Sequence, residues 1–145
     1  MIWLLFEVSA LPVTATLLRL HHSPSDVREP LAALAELAAA DPTARPVPAG
    51  SAVAVRTHEV RDISEDFSAV VNDAPIEAAA QAQLARESAC LPLLRARYLL
   101  ASDDASSWHI VVFSAVLGTR DAPLLEIYLE LFDAFVGGLR WDQKP

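Results

Sequence analysis

The stretch from Leu91 to Gly138 constrains the fold more than any other part of this chain. It contains two apolar segments, Leu93–Leu100 and Trp108–Val116, separated by a short polar segment around Asp103. The second segment is almost wholly apolar and rich in β-branched residues, which is typical of a buried strand. Short polar side chains favour a turn between the two. The pattern therefore predicts an antiparallel hairpin whose strands are neighbours in the sheet.

A helix is predicted directly after this hairpin. Six apolar residues recur at helical spacing: Leu124, Leu125, Tyr128, Leu131, Phe132 and Phe135. Such spacing indicates an amphipathic helix, and Gly137-Gly138 provides a C-terminal stop. The four aromatic residues Phe113, Tyr128, Phe132 and Phe135 are interpreted most simply as core.

The rest of the chain alternates between strand and helix patterns. Strands are predicted at 13–20 and 52–60, with an edge position for the second, and 44–48 is expected to be extended because proline cannot continue a helix. Helices are predicted at two: one that begins at Asp26 and ends at Asp41-Pro42, and one from Pro75 to about Ser88, with Ile76, Ala80 and Leu84 facing inward. Asp26 with Glu29 suits a capping box. The acidic segment 61–74 is predicted to be rich in turns.

These elements predict one domain over residues 1–145 with an α+β fold. The simplest arrangement that buries the apolar faces is a two-layer sandwich, in which three helices pack on one face of a mixed or antiparallel sheet. The length of 145 residues suffices for one core, and 53% of the residues are hydrophobic. That content predicts either a large core or an apolar surface for a partner.

Charge and composition exclude several classes of function. The net charge of −8 argues against nucleic acid and anionic membrane surfaces, which both require basic patches. Cys90 is the only cysteine, which excludes an internal disulfide and suits a reducing cytoplasm. No apolar run approaches the roughly 18 residues of a membrane span. The apolar N-terminus lacks a basic leader and is interrupted by Glu7, so no signal peptide is expected.

Five local matches occur in order along the chain. They are Ser23-Pro24-Ser25-Asp26, Asp41-Pro42-Thr43-Ala44-Arg45, His58-Glu59-Val60-Arg61-Asp62-Ile63-Ser64, Pro92-Leu93-Leu94-Arg95-Ala96, and the strand, loop and helix from Trp108 to Gly138. In this order the chain resembles the N-terminal lobe of condensation domains from nonribosomal peptide synthetases, which have the chloramphenicol acetyltransferase-like fold. The resemblance covers nearly the whole chain but less than half of the family's domain, so the second lobe is expected to be missing.

The resemblance also predicts a degenerate active site. The family's motif is His-His-x-x-x-Asp-Gly, and its second histidine serves the amine nucleophile. Here Val116, Leu117, Asp121 and Ala122 occupy motif positions, and only Asp121 matches. Leu117 occupies the position of the motif's second histidine, and its side chain has no exchangeable proton and cannot act as a base. Asp121 is structural in the family, and a pair with Arg95 across the sheet is one interpretation; two independent surface charges are the other.

Two other histidines are alternative catalytic candidates. His21-His22-Ser23-Pro24-Ser25-Asp26 spells the motif without its glycine, so His22 with Asp26 could serve as a base. The alternative interpretation is a polar turn between a strand and a helix, since Pro24 intrudes on the loop. His109 is interpreted either as a hydrogen-bonded sheet residue or as a catalytic base.

The remaining polar candidates favour structure over chemistry. His58 is expected on a solvated edge. Cys90 is interpreted as a buried small hydrophobe rather than a thiol nucleophile. No metal site is expected, because His21 and His22 point to opposite faces of a strand and no other residues have ligand spacing. No cofactor is expected either.

The sequence thus favours a non-catalytic half domain that acts by protein–protein interaction in secondary metabolism. The expected partners are a second copy, a synthetase module or a carrier protein, and the predicted interface includes four N-terminal residues: Ile2, Trp3, Leu4 and Phe6. Two alternatives remain. One is an acyltransferase completed by a partner lobe with His22 or His109 as base, and the other is a small-molecule binding domain.

Overall fold

The fold is described from a computed structural model, which covers residues 2–4, 13–21, 30–101, 107–117 and 122–140. Ten elements follow one another along the chain: β1 (Ile2–Leu4), β2 (Val13–His21), α1 (Pro30–Ala40), β3 (Arg45–Ala49), β4 (Ala52–Asp62), α2 (Ser64–Asp73), α3 (Ala78–Glu87), β5 (Pro92–Ala101), β6 (Ser107–Val116) and α4 (Ala122–Gly137). The α+β class predicted from the sequence is confirmed.

The strands form one sheet in the order β1-β2-β6-β5-β4-β3, and every neighbouring pair is antiparallel. β5 and β6 pair over their whole length, from Leu93 opposite Val116 to Ala101 opposite Trp108. The predicted hairpin is therefore confirmed. β4 was predicted as an edge strand, but it lies between β3 and β5, with only Ala52–Arg56 paired to β3.

The main core lies between the sheet and α4. Alternate residues of β5, from Leu94 to Leu100, point to this face and are fully buried, as the period of two in a strand requires. Phe132 of α4 is 0% exposed and stacks on Phe113 of β6, with ring centroids 4.7 Å apart. Leu129 and Val136 complete the buried side of the helix. This packing of helix on sheet is the two-layer part of the fold.

The opposite face of the sheet is covered in part by α1. Leu34 of α1 packs against Val55 of β4, with Leu99 and Trp108 around them. These positions alternate with the residues that face α4, so the two helices lie on opposite sides of the sheet. The expected three helices on one face are therefore corrected: the described residues form four helices, and α1 and α4 lie on opposite faces of the sheet.

A pair of helices, α2 and α3, is inserted between β4 and β5. The N–H of Ile63 donates to the carbonyl of Leu91 at 2.9 Å and closes the base of the insertion. The Asp62 carboxylate accepts hydrogen bonds from the N–H groups of Ser64 and Leu91 at 2.8 and 3.2 Å. The first of these bonds satisfies a donor in the first turn of α2, which would otherwise lack an intrahelical partner.

This insertion differs from the sequence prediction in two ways. The segment 61–74, predicted to be rich in turns, contains the helix α2. The second predicted helix begins at Ala78 rather than Pro75, and Ile76 and Ala80 are exposed instead of facing inward. The side chain of Gln81 reaches across to the carbonyl of Val71 at 3.2 Å and links the two helices.

The turn between β3 and β4 brings the sheet against the end of α4. It consists of Gly50 and Ser51, and Gly50 has φ +62°. A Cβ atom at position 50 would lie 2.5 Å from the carbonyl oxygen of Leu139. The N–H of Gly50 donates to the carbonyl of Gly137 at 3.3 Å. Only glycine combines this backbone conformation with so close an approach.

β3 is an edge strand and contains two prolines. In a hairpin with a two-residue turn, the residues that flank the turn bond to each other. Ala49 therefore forms backbone hydrogen bonds with Ala52. It follows that the N–H and C=O groups of Val47 and Arg45 point toward β4, and that the backbone polar groups of Pro46 and Pro48 point outward. Proline is tolerated there because the ladder requires no N–H on that side.

None of the helices in the described ranges has the length and apolar character needed to cross a membrane.

Candidate functional site

The end of β6 holds the loop that the resemblance equates with the active-site motif. Val116 ends the strand, and Leu117 follows it with only 6% of its surface exposed. The N–H of Leu117 donates to the carbonyl of Pro92 at 2.7 Å, and its side chain belongs to the core beneath α4. Ala122 is the first residue of α4. Leu117 is thus a core residue beside the loop.

The alternative catalytic residues are placed as follows. His109 lies in β6, opposite Leu100 of β5, and is 9% exposed, which agrees with a buried histidine of the sheet. His22, Asp26 and Asp121 lie outside the described residues. Of the predicted interface, Ile2, Trp3 and Leu4 form the edge strand β1, and Phe6 lies outside the described residues.

A polar cluster that joins α4 to two strands was not predicted from the sequence. Arg56 of β4 binds Asp133 of α4, with Nη1 2.5 Å from Oδ2, and the hydroxyl of Tyr98 donates to Asp133 Oδ1 at 2.7 Å. The Arg56 and Asp133 side chains are 12% and 30% exposed. Arg56 Nε is buried without a hydrogen-bond partner among the described residues.

The environment of Tyr98 keeps its hydroxyl protonated. Burial of the ring raises the pKa of Tyr98 far above its ordinary value of 10.0, and the hydrogen bond to the Asp133 carboxylate raises that pKa further. The protonated hydroxyl of Tyr98 donates its hydrogen bond to the Asp133 carboxylate. The cluster therefore anchors α4 to the middle of the sheet, and Tyr98 is no candidate for a base at neutral pH.

A small polar pocket of about 60 Å³ opens on the side of the sheet that α1 partly covers. It is lined by charged and polar residues from β4, β5 and the segment after α1: Asp41, Thr57, His58, Glu59, Arg95 and Arg97. Glu59 binds both arginines, at 3.7 Å to Arg95 and 3.3 Å to Arg97. Pockets for organic ligands are usually about 300–1,000 Å³, so this volume does not favour a small-molecule function.

Two sequence interpretations concern residues at this pocket. Arg95 contacts Glu59, while Asp121, its predicted partner, lies outside the described residues. His58 was expected to be solvated, but it is half-buried. The backbone N–H of His58 donates to the Thr43 hydroxyl at 3.1 Å. The ring Nδ1 of His58 is buried without a hydrogen-bond partner among the described residues.

Cys90 and the possible metal ligands give no chemical site. Cys90 is exposed, not buried as the sequence interpretation had it. It lies beside Leu91 in the short loop before β5, where Asp62 holds the chain. Over the described ranges, no three His, Cys, Asp or Glu side chains are grouped so that they could hold a metal ion.

The outer side of α4 is unexpectedly apolar. Ile127 is 56% exposed and Phe135 is 45% exposed, although Phe135 was predicted to be core. Leu131, half-buried, lies between them, and the three residues form a stripe at intervals of four that we call the α4 stripe. The Phe135 ring lies 6.3 Å from that of Phe113 in β6, so this end of the stripe reaches the margin of the core.

The sequence contained one signal for these features. Asp133 lies between the apolar pairs Leu131-Phe132 and Ala134-Phe135. A carboxylate among apolar residues is expected to have a donor or a cation as its partner, because an unpaired buried charge is costly. Its partner Arg56 is 77 residues away, and no local pattern identifies it.

No protein-family model matches this chain, and neither a curated protein nor a solved structure is similar to it at a significant level.

Proposed function

We propose that the chain is a non-catalytic half domain of the condensation type that acts by binding another protein in secondary metabolism. The observation that carries this proposal is the α4 stripe. A helix at the surface of a domain needs one apolar face to pack on its own sheet. α4 has that face and presents a second one, with Ile127 and Phe135 about half exposed. Contiguous exposed apolar residues are typical of an interaction site.

The inner face of α4 is complete without the stripe. Tyr128, Leu129, Phe132 and Val136 are at most 6% exposed, and Asp133 is held by Arg56 and Tyr98. Rotating the helix to bury the stripe would expose these residues and break the buried cluster. The exposure of the stripe is therefore a stable feature of the folded domain.

The non-catalytic part of the proposal is supported by Leu117. If the resemblance holds, this residue stands in the position of the family's second histidine, and its side chain is buried in the core. An aliphatic side chain can neither accept a proton nor orient an amine.

The resemblance suggests which proteins the stripe would meet. A second copy, a synthetase module and a carrier protein are the candidates, and all would act in the cytoplasm. A surface of apolar residues beside Glu126 and Glu130 suits a protein partner better than nucleic acid, which requires cations.

The proposal is tested by charging the stripe. The double variant Ile127→Glu, Phe135→Glu should lose any self-association seen by light scattering over a dilution series, and any partner retained in a pull-down from the native cell. Val70→Glu is the matched control, because Val70 is 68% exposed on α2 and lies outside the stripe. Trp3→Glu tests the predicted interface at β1. If neither the stripe variant nor Trp3→Glu weakens an observed complex, or if no complex is found, the proposal is wrong.

A further inference from the structure

We propose that the helical pair α2–α3 is a separately opening unit, which can lose its structure and regain it while the sheet and α4 stay folded. We call residues 63–91 the arm. This inference goes beyond the proposed function and does not depend on the α4 stripe. It is argued from the burial of the arm, from the contacts at its base and from the contact between its two helices.

The arm contributes little to the core of the domain. α2 has one buried residue, Val71, and α3 has none. Neither of the two core clusters in the described part of the chain includes a residue of the arm. By contrast, the inner face of α4 lies in the main core, with Phe132 at 0% exposure. Because the burial of apolar surface is the main source of stability, the arm should open at a lower free energy than the sheet and α4.

Polar contacts join the arm to the sheet at its base. The Asp62 carboxylate accepts hydrogen bonds from the N–H groups of Ser64 and Leu91, at 2.8 and 3.2 Å, and so holds both ends of the arm. The bonds from Ser64, and then the bond from Leu91, keep the pKa of Asp62 below its ordinary value. The carboxylate is therefore charged at neutral pH, and these bonds are charge-assisted. Arg61 also pairs with Asp66, but both side chains are mostly exposed, and such a pair contributes little.

The two helices of the arm depend on each other. Each has 10 residues, and isolated helices shorter than about 12–15 residues are marginal in water. The side-chain amide nitrogen of Gln81 in α3 lies 3.2 Å from the carbonyl oxygen of Val71 and 3.4 Å from those of Asn72 and Ala74. It thereby binds carbonyl groups at the C-terminal end of α2, where the helix itself supplies few partners. Loss of one helix removes support from the other, so α2 and α3 should open together.

The base of the arm lies next to the loop that precedes α4. Leu91 is followed by Pro92, whose carbonyl accepts the N–H of Leu117 at 2.7 Å. Opening of the arm would release Leu91 from Asp62 but leave β5 and β6 paired from Leu93 onward. The arm is thus a part of the chain whose order can change beside that loop without loss of the core.

Native-state hydrogen exchange of the full chain, followed by mass spectrometry, tests the inference. Wild-type amides of α2 and α3 should exchange faster than those of β5, β6 and α4. Asp62→Ala should raise the exchange rates across both helices by roughly tenfold, the order expected for loss of a hydrogen bond to a charged group, and leave the other elements unchanged. Gln81→Ala should also raise the rates in both helices. The matched control is Glu59→Ala, which removes an exposed carboxylate from the same strand and should not change exchange in the arm.

Trypsin gives a second measurement, because Arg86 in α3 is the only lysine or arginine within the arm. A protease requires a locally unfolded segment, so the initial rate of cleavage after Arg86 follows the population of the open arm. This rate should also rise roughly tenfold in Asp62→Ala and stay unchanged in Glu59→Ala.

Exchange in the arm that is as slow as in α4, and that speeds up only with global unfolding, overturns the inference. A rise confined to one helix, or to the residues beside the substitution, overturns it as well, because the arm would then fray rather than open as a unit. Unchanged rates in both Asp62→Ala and Gln81→Ala have the same consequence. If circular dichroism shows that Asp62→Ala is unfolded, Gln81→Ala decides the matter by the same two measurements.

Discussion

The hydroxyl of Tyr98 donates a hydrogen bond of 2.7 Å to Asp133 Oδ1, and this contact joins the middle of β5 to α4. Asp133 uses its other oxygen for Arg56 of β4, so one carboxylate connects the helix to two adjacent strands. The position of α4, and hence of its exposed stripe, depends on this cluster. The predictions begin with it.

Stability should fall at high pH because of Tyr98. Burial and Asp133 raise its pKa far above the ordinary 10.0, so above about pH 10 the unfolded chain loses this proton while the folded chain keeps it. The tyrosine's contribution is complete below pH 10 and declines above it, by up to about 1.4 kcal/mol per pH unit. Urea unfolding of wild type and Tyr98→Phe from about pH 9 to pH 11 measures this. Equal slopes for both proteins would contradict the assignment.

Asp133→Asn should destabilise the protein by about 1–3 kcal/mol, because Arg56 would keep its charge in a mostly buried site without a carboxylate. The matched control is Glu59→Gln, which removes a carboxylate from two exposed arginines and should change the free energy of unfolding by less than about 1 kcal/mol. Chemical denaturation at neutral pH compares the two. If Asp133→Asn were as mild as Glu59→Gln, the cluster would have no anchoring role.

Gly50→Ala should destabilise the fold by about 1–3 kcal/mol or more, since alanine is strained at φ +62° and its Cβ would meet the Leu139 carbonyl. Gly138→Ala is the control, because a Cβ there makes only ordinary contacts at 3.5 Å and beyond. Thermal unfolding should show a clear decrease in Tm for the first variant and little change for the second. The reverse order would show that the turn and the end of α4 are not packed in this way.

Phe132→Ala should cost about 3–5 kcal/mol, because it empties the centre of the core where the ring stacks on Phe113. Phe135→Ala, only three residues later, should cost far less, because 45% of that side chain is already exposed. The comparison uses equilibrium unfolding at a concentration where any complex has dissociated. Similar losses for both variants would mean that Phe135 is buried in the free domain.

The isolated protein should not transfer an acyl group from a loaded carrier protein to a soluble amine. A positioned general base is typically worth about 10²–10⁴-fold, and Leu117 cannot supply one. Mass spectrometry of the product is the measurement. Turnover that disappears in His22→Ala or His109→Ala would restore the acyltransferase hypothesis. Turnover unaffected by either substitution would leave both accounts wrong.

The elements with a strong periodic pattern could be predicted from the sequence. β5, β6 and α4 follow directly from the apolar runs and the helical spacing after Leu124. α2 was not predicted, because its acidic residues indicated turns, although Ile63, Phe67 and Val71 fall at helical spacing. The helix is supported by Asp62 at its start and by α3 alongside. Local patterns also do not reveal the side of the sheet on which α1 packs, which depends on the long crossing from β2 to β3.

The candidate site was predictable only in part. The spacing of α4 identifies its apolar residues, but a helix that is apolar on two sides does not reveal which side meets the sheet. Phe135 was therefore assigned to the core with Phe132, although the structure exposes it. The Arg56–Asp133 pair requires the fold, since β4 and α4 meet only after the sheet has formed.

Because of the two outward-facing prolines of β3, the two edges of the sheet differ in how readily they can pair with a strand from another molecule. Pro46 and Pro48 lack the two amide hydrogens that β3 would offer to an added strand, so extension of the ladder from that margin is strongly disfavoured. The opposite margin is β1, a strand of only three residues. Repeated stacking of sheets edge to edge, the first step toward a fibril, requires two compatible margins on every molecule. With one margin closed, strand-by-strand assembly would end after a single pairing, and a chain so rich in apolar residues is protected from polymerising.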